Sequence, residues 1–263
     1  MTDATARSGL VVSDLHLFSG RSEGERLFGE IRSQAGELDA LVLNGDTFDF
    51  RWSLLSSESA TIEAAIRWLE AILVESPIPR VHFLLGNHDC LADFRRELEG
   101  LAKAFPRLHC HEFQLRLGDN LFLHGDCANR RMNAAALEKS RRSWSRDRQR
   151  GRIAATIYDS ADSLGLSRRF HDLYFPRTGT VKRVVHHLDR VLPGWRDRIR
   201  HCYFGHTHRP FRDHQWKGIR FSNTGSGIRG MGFQPLEFRW SPDRPDSPSD
   251  SSQDHERKSH LLF

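Results

Sequence analysis

The chain has 263 residues, 38% of them hydrophobic and 28% charged, with a formal net charge of +5. That length suits one large α/β domain with an insertion, or two small domains. No uninterrupted apolar stretch approaches a membrane span, the polar start from Met1 to Gly9 lacks an apolar signal core, and Cys90, Cys110, Cys127 and Cys202 have no paired spacing. A spanning, secreted or disulfide-framed protein is therefore not expected, and a reducing cytosol is.

In chain order, residues 10–14 read as the first buried strand, Leu10-Val11-Val12-Ser13 running into Asp14-Leu15-His16. Glu23 to Ala35 is a plausible helix, with Leu27, Phe28 and Ile31 on one face. Leu41 to Leu43 is a second strand, ending in Asn44-Gly45-Asp46-Thr47-Phe48-Asp49. Ser59 to Val74 carries Ile62, Ala65, Ile66, Leu69, Ile72 and Leu73 at helical spacing. Pro77 and Pro79 close it before a third strand at residues 81–85, which ends in Gly86-Asn87-His88-Asp89. A helix from Leu91 to Ala104 follows, and then a hairpin of Phe113 to Leu117 and Leu121 to Leu123 turning at Gly118-Asp119-Asn120. The second hairpin strand ends in His124-Gly125-Asp126. This is βαβαβ plus a hairpin, so α/β layering is expected.

From Ala128 to about Arg200 the strand runs give way to helix formers, arginines and spaced apolar residues, including Met132, Leu137, Trp144, Ile153, Ile157, Leu164, Leu166 and Phe170. Cys127 to Arg200 holds 18 Lys/Arg against 7 Asp/Glu, a balance of +11 that leaves −6 for the remainder. A basic block of this kind suits a polyanionic partner. Residues 128–200 are expected to form a basic helical cap over the site, with residues 1–127 and 201–240 as the core. Cys202 to Phe204 is another strand, ending in Gly205-His206-Thr207-His208. Strands are expected again at Ile219–Ser222 and Leu236–Trp240, with Asn223 to Gly227 as a glycine-rich turn between them. Residues 241–263 are expected to be a disordered tail, rich in Ser, Pro, Asp and charge as far as residue 258.

Five strand ends thus carry metal-type ligands. Asp, His and Asn donors without thiolate favour a hard or borderline divalent ion such as Mn²⁺, Fe²⁺ or Zn²⁺. Asp14, His16, Asp46, Asn87, His124, His206 and His208 are too many for one ion. A closed structural zinc site needs four ligands. Two ions sharing a carboxylate would use all of these and leave positions for water and substrate, the arrangement that serves phosphoryl transfer.

The five blocks, in order across residues 14–208, resemble the calcineurin-like metallophosphoesterases. The resemblance implies an α/β four-layer sandwich, two facing mixed β-sheets flanked by helices, here with a helical cap insertion. It implies Asp14, His16, Asp46 and His208 on one metal, and Asp46, Asn87, His124 and His206 on the other, with Asp46 and a hydroxide bridging. It implies two divalent cations, Mn²⁺ first, with Fe²⁺ or Zn²⁺ as alternatives. It makes His88 a general acid or charge stabiliser, oriented by Asp89.

Ser13-Asp14-Leu15-His16-Leu17, Gly205-His206-Thr207-His208-Arg209-Pro210 and the size of the insertion are closest to the UDP-2,3-diacylglucosamine hydrolase branch. The chain departs from that branch at His88, where an Arg is usual, and at Arg51-Trp52-Ser53-Leu54, in place of an acidic run. The expected activity is hydrolysis of a phosphoester or phosphoanhydride in a phosphorylated small molecule or lipid, with cap arginines such as Arg130 and Arg131 against phosphate. A nuclease, a protein phosphatase, a dinucleoside polyphosphate hydrolase and a non-enzymatic scaffold are the alternatives. A cytoplasmic location with peripheral contact at the inner face of a membrane goes with the lipid reading.

Overall fold

The structure, a computed structural model, describes residues 6–32, 38–146, 148–150, 171 and 173–241. Two five-stranded sheets face each other. The first has the order β10-β1-β2-β3-β4, built from β1 (Arg7–Val12), β2 (Ala40–Asn44), β3 (Arg80–Leu84), β4 (Leu108–His111) and β10 (Leu236–Trp240). β1 to β4 are parallel, and β10 runs antiparallel to β1. The second has the order β5-β6-β7-β9-β8, built from β5 (Gln114–Leu117), β6 (Asn120–Leu123), β7 (His201–Phe204), β8 (Phe211–Trp216) and β9 (Ile219–Asn223).

Strand periodicity sorts the apolar residues into three cores. Leu10, Val12, Leu41, Leu43, Val81 and Phe83 pack outward with α1 (Gly24–Arg32), α2 (Glu58–Glu75) and α3 (Ala92–Ala104). Their neighbours Val11, Ala40, Val42 and Leu84 face Phe122, Tyr203 and Phe238 between the sheets. Leu121, Leu123, Cys202 and Phe204 then pack outward on the far side. Their partners include Leu137 of α4 (Ala134–Trp144), Val181, Val184 and Leu188 of α5 (Arg177–Val191), and Trp195 of the short α6 (Trp195–Arg198). The layers are therefore helix, sheet, sheet, helix, as expected. α2 starts at Ser57, whose Oγ accepts from the Ala60 amide at 3.1 Å, and α4 starts at Asn133, whose Oδ1 accepts from the Ala136 amide at 2.9 Å.

Three expectations need correction. β4 and β8 were not expected: both are edge strands, and each carries polar residues (His109 and His111; Arg212 and Asp213) that break the apolar signal. Residues 223–227 are not a turn between paired strands, because β9 and β10 belong to different sheets. The segment crosses from one sheet to the other instead. The described helices of residues 128–200 are not a separate cap, because α4, α5 and α6 form the outer helical layer of the second sheet. The expected end of α1 at Ala35, the apolar positions Ile153, Ile157, Leu164, Leu166 and Phe170, and the tail beyond Ser241 lie outside the described residues. Among the described residues no helix is long and apolar enough to cross a membrane.

Candidate metal centre

All seven predicted ligands lie just beyond the carboxyl ends of five parallel strands: β1, β2 and β3 of one sheet, β6 and β7 of the other. This is the edge at which open α/β sheets bind ligands. The backbone there is strained. Eight described non-glycine residues have positive φ, and five of them are Asp14, His16, Asp46, His206 and His208. Such conformations persist only where the surroundings over-determine them.

Two motif glycines are explained by the ligands of other motifs. A Cβ on Gly86 would lie 2.1 Å from Asp46 Oδ1, and a Cβ on Gly205 would lie 2.1 Å from Asp14 Oδ2. The crossing segment closes the floor of the site, with the Gly227 amide and Ser226 Oγ donating to the Asp14 carbonyl at 2.9 and 3.0 Å.

The donors gather in two adjoining groups. In the first, His208 Nε2 lies 3.3 Å from Asp14 Oδ1 and 3.2 Å from His16 Nε2. In the second, His124 Nε2 lies 3.2 Å from each of Asp46 Oδ2, Asn87 Oδ1 and His206 Nδ1. Asp46 Oδ2 also lies 3.9 Å from His16 Nε2, so one oxygen stands between the groups. The other oxygen, Oδ1, accepts from the His88 amide at 2.8 Å. Metal bonds of about 2.1 Å meeting at roughly 90–110° place neighbouring donors roughly 3.0–3.4 Å apart. Most of the observed spacings match that figure.

The outer nitrogens of these histidines fix the ring orientations. His16 Nδ1 lies 3.2 Å from Asp49 Oδ2, His124 Nδ1 lies 3.3 Å from the Asn44 carbonyl, and His206 Nε2 lies 2.8 Å from Asn129 Oδ1. Asp49 and Asn129 were not singled out from the sequence. Asp49 belonged to a recognised block, whereas nothing local marked Asn129. Among the described residues His208 Nδ1, which is buried, has no hydrogen-bond partner.

The orienting role expected of Asp89 falls to Asp49, whose Oδ1 lies 3.0 Å from His88 Nδ1. Asp89 instead accepts from the Gly86 and Thr47 amides at 2.5 and 2.8 Å, tying the second and third motif loops together. His88 also packs on Trp144, with ring centroids 4.8 Å apart, and Arg51 stacks on the same indole at 4.9 Å. Arg130 and Arg131, expected at phosphate, are both exposed.

Electrostatics favour cations here. Burial pushes the Asp46 carboxyl up, but His124, His88 and His16 outweigh it and hold it well below the ordinary carboxylate range. Burial acts the same way on Asp49, and His88 and His16 reverse it there too. Burial lowers His124 and His88, yet Asp46 lifts the first to about 10, and Asp49 with Asp46 lifts the second to about 9. Burial and the nearby His124 take His206 down to about 4. Burial takes His208 down to about 3 against the pull of Asp14. The carboxylates that draw protons onto His124 and His88 attract divalent cations for the same reason, and the neutral form favoured at His206 and His208 is the one that ligates. The donor set, the spacings and the charge all fit two metal ions.

The model of the calcineurin-like phosphoesterase family matches residues 10–210, a span that holds every one of these donors. The chain belongs to that family. Its members are dinuclear-metal hydrolases of phosphoesters, and the two adjoining donor groups are the feature that this chemistry needs. Among solved structures, the chain is similar to phosphopantetheinyl hydrolase (PptH) from Mycobacterium tuberculosis, at 14% identity and a TM-score of 0.45, covering 86% of this chain and 92% of that one. No curated protein sequence matches it.

Proposed function

We propose that this phosphoesterase acts on a nucleotide pyrophosphate bearing an apolar portion, with UDP-2,3-diacylglucosamine as the leading candidate and Mn²⁺ as the preferred metal. The observation that carries the two-metal chemistry is the position of Asp46 Oδ2 between the donor groups. Asp14, His16, Asp46 and His208 would hold one ion, and Asp46, Asn87, His124 and His206 the other. When bound, the ions supply Lewis acidity and lower the pKa of a bound water.

The protein's own contribution centres on His88. Asp49 fixes its ring and favours its protonated form, so it is placed to donate to a phosphate oxygen as charge builds there.

Exposed apolar residues support an apolar portion of the substrate. Large exposed apolar side chains among the described residues are Leu54, Val74, Leu173 and Tyr174, and three of these four lie on segments that reach the site. Leu173 and Tyr174 follow His171, which stacks on His208 at 4.8 Å, and precede Phe175, which lies 6.1 Å from His206. Leu54 lies in the loop of Arg51, the residue stacked on Trp144. The described ends of the basic segment thus flank the centre, Trp144 against His88 and His171 against His208. Peripheral contact with an anionic membrane surface accords with that basic segment.

The test is release of UMP from UDP-2,3-diacylglucosamine in Mn²⁺, measured beside bis-p-nitrophenyl phosphate, a phosphomonoester and single-stranded DNA. The expected result is preference for the acylated pyrophosphate. Preference for DNA would replace the lipid substrate by a nuclease function, and inertness to all four would overturn the choice of substrate class.

A further inference from the structure

A cavity of about 360 Å³ opens beside the first donor group, lined by His171, Arg177, His208, Arg209, Pro210 and Met231 among others. Two features mark it as more than a surface hollow. The first is the orphaned His208 Nδ1. The side chain of His208 is 10% exposed, and this nitrogen is buried with no hydrogen-bond partner. A histidine that ligates a metal through Nε2 carries its proton on Nδ1, and such N–H groups almost always donate to an oxygen. The other three histidines of the centre have theirs in Asp49, Asn44 and Asn129. His208 alone lacks one, and leaving a buried donor unmade is unfavourable.

The second feature is charge. Arg177 and Arg209 both line the cavity, and among the described residues no acidic one does. Arg177 is also the first residue of α5, a helix whose N-terminus has no side-chain cap. Its guanidinium packs over the Phe211 ring at 5.7 Å, which holds the side chain beside the opening. An oxygen acceptor bearing negative charge satisfies the histidine and Arg177 together, beside the positive charge of Arg209, which also donates to the Phe175 carbonyl at 2.8 Å, and guanidinium forks suit phosphate in particular.

We propose that this cavity is a subsite for a second phosphate of the substrate, adjoining the phosphate that is cleaved, with His208 Nδ1–H and Arg177 as its donors. This rests on the phosphoesterase function of the same centre and deepens it. A substrate with two linked phosphates fills both positions, whereas a simple phosphodiester leaves the subsite to water.

The probe is methylenediphosphonate, a non-hydrolysable diphosphate mimic, compared with methylphosphonate by calorimetry on Mn²⁺-loaded wild type and Arg177→Met. Methionine keeps an apolar stem over Phe211, and metal content and melting temperature check that the variant is intact. The diphosphonate is expected to bind wild type more tightly than the monophosphonate by roughly tenfold and to lose most of that margin in the variant. In parallel, KM for a UDP-sugar should rise by roughly tenfold in Arg177→Met, while KM for bis-p-nitrophenyl phosphate changes less than about twofold.

Equal affinity of wild type for the two phosphonates would mean that a water alone satisfies His208, and the subsite would fall. An equal rise in KM for both substrates would overturn it too, since Arg177 would then serve the cleaved phosphate. If wild type hydrolysed neither substrate, the phosphoesterase function would fail, and the comparison of the two phosphonates would still decide the subsite.

Discussion

The two halves of the metal centre are built differently. The half formed by Asp46, Asn87, His124 and His206 is closed by the protein. His124 is tied back to the β2 terminus through Asn44, and His206 is tied to Asn129. In the other half, Asp14, His16 and His208 are equally convergent, but only His16 has its outer nitrogen anchored, and His208 faces a cationic cavity. One half is finished by its own polypeptide, and the other keeps a hydrogen bond in reserve. Catalytic metal sites keep a coordination position open for substrate, and in this half an acceptor from substrate would also complete the hydrogen bond that His208 lacks.

The largest effect is expected at the one residue the halves share. Asp46→Asn removes the charge that lies between them while nearly preserving shape. Activity in Mn²⁺ should fall below about one-thousandth of wild type, because each half alone lacks the paired ions that clamp the attacking and leaving oxygens. Circular dichroism should be unchanged. A folded variant that kept two metals and more than a few per cent of activity would show that the halves work independently.

His88→Ala comes next. His88 belongs to neither ligand set, and its ring is held by Asp49 and Trp144. Both metals should remain by elemental analysis, while kcat falls by roughly 10²–10⁴, the usual worth of a positioned acid. Loss of one metal in this variant would make His88 a ligand of the first half.

Much of this division could be read from the residues in order. Seven ligands at five strand ends stood out because each sits where an apolar run stops, and the parallel strands then bring those stops to one edge. What could not be read depends on side-chain direction. Asp49 and Asp89 are both carboxylates next to a motif, and only the fold turns one toward His88 and the other toward the Gly86 and Thr47 amides. Asn129 lies beyond the fourth motif with no neighbouring signal, and 77 positions separate it from His206. The apolar positions of α4 and α5 look the same whether a helix packs on a sheet or on another helix. The pattern alone therefore reads equally as a separate cap, whereas these positions cover the second sheet. The described helices of the apparent insertion are the fourth layer of the fold.

Asn129→Ala tests the anchored half directly. Removing the acceptor frees the His206 ring to turn, and leaves its Nε2 without the oxygen 2.8 Å away. Metal affinity should weaken by roughly 10–100-fold at one of two sites, the usual cost of losing an outer-shell partner, with the other site unaffected. Two-step metal titration with a chromophoric chelator separates the steps. Equal weakening of both would mean that the two halves load as one unit.

The smallest effect is expected at His171, and it bears most closely on the asymmetry. His171 stacks on His208 with rings 4.8 Å apart and 11° from parallel, and its Nδ1 lies 3.1 Å from the Thr207 carbonyl. If this ring were the hidden anchor of His208, it would stand in for the missing acceptor, and the halves would be equivalent after all. A stack, however, restrains a ring through its face and leaves Nδ1 of His208 unsatisfied. Aromatic pairs are worth about 0.5–1.5 kcal/mol beyond their buried area. His171→Phe keeps the ring and most of that contact, so metal affinity in the first half should change by less than about threefold, well short of the loss expected from Asn129→Ala. The same chelator titration reads both variants side by side. A weakening of roughly tenfold or more in His171→Phe would make His171 the outer partner of His208, and the first half would then be as closed as the second.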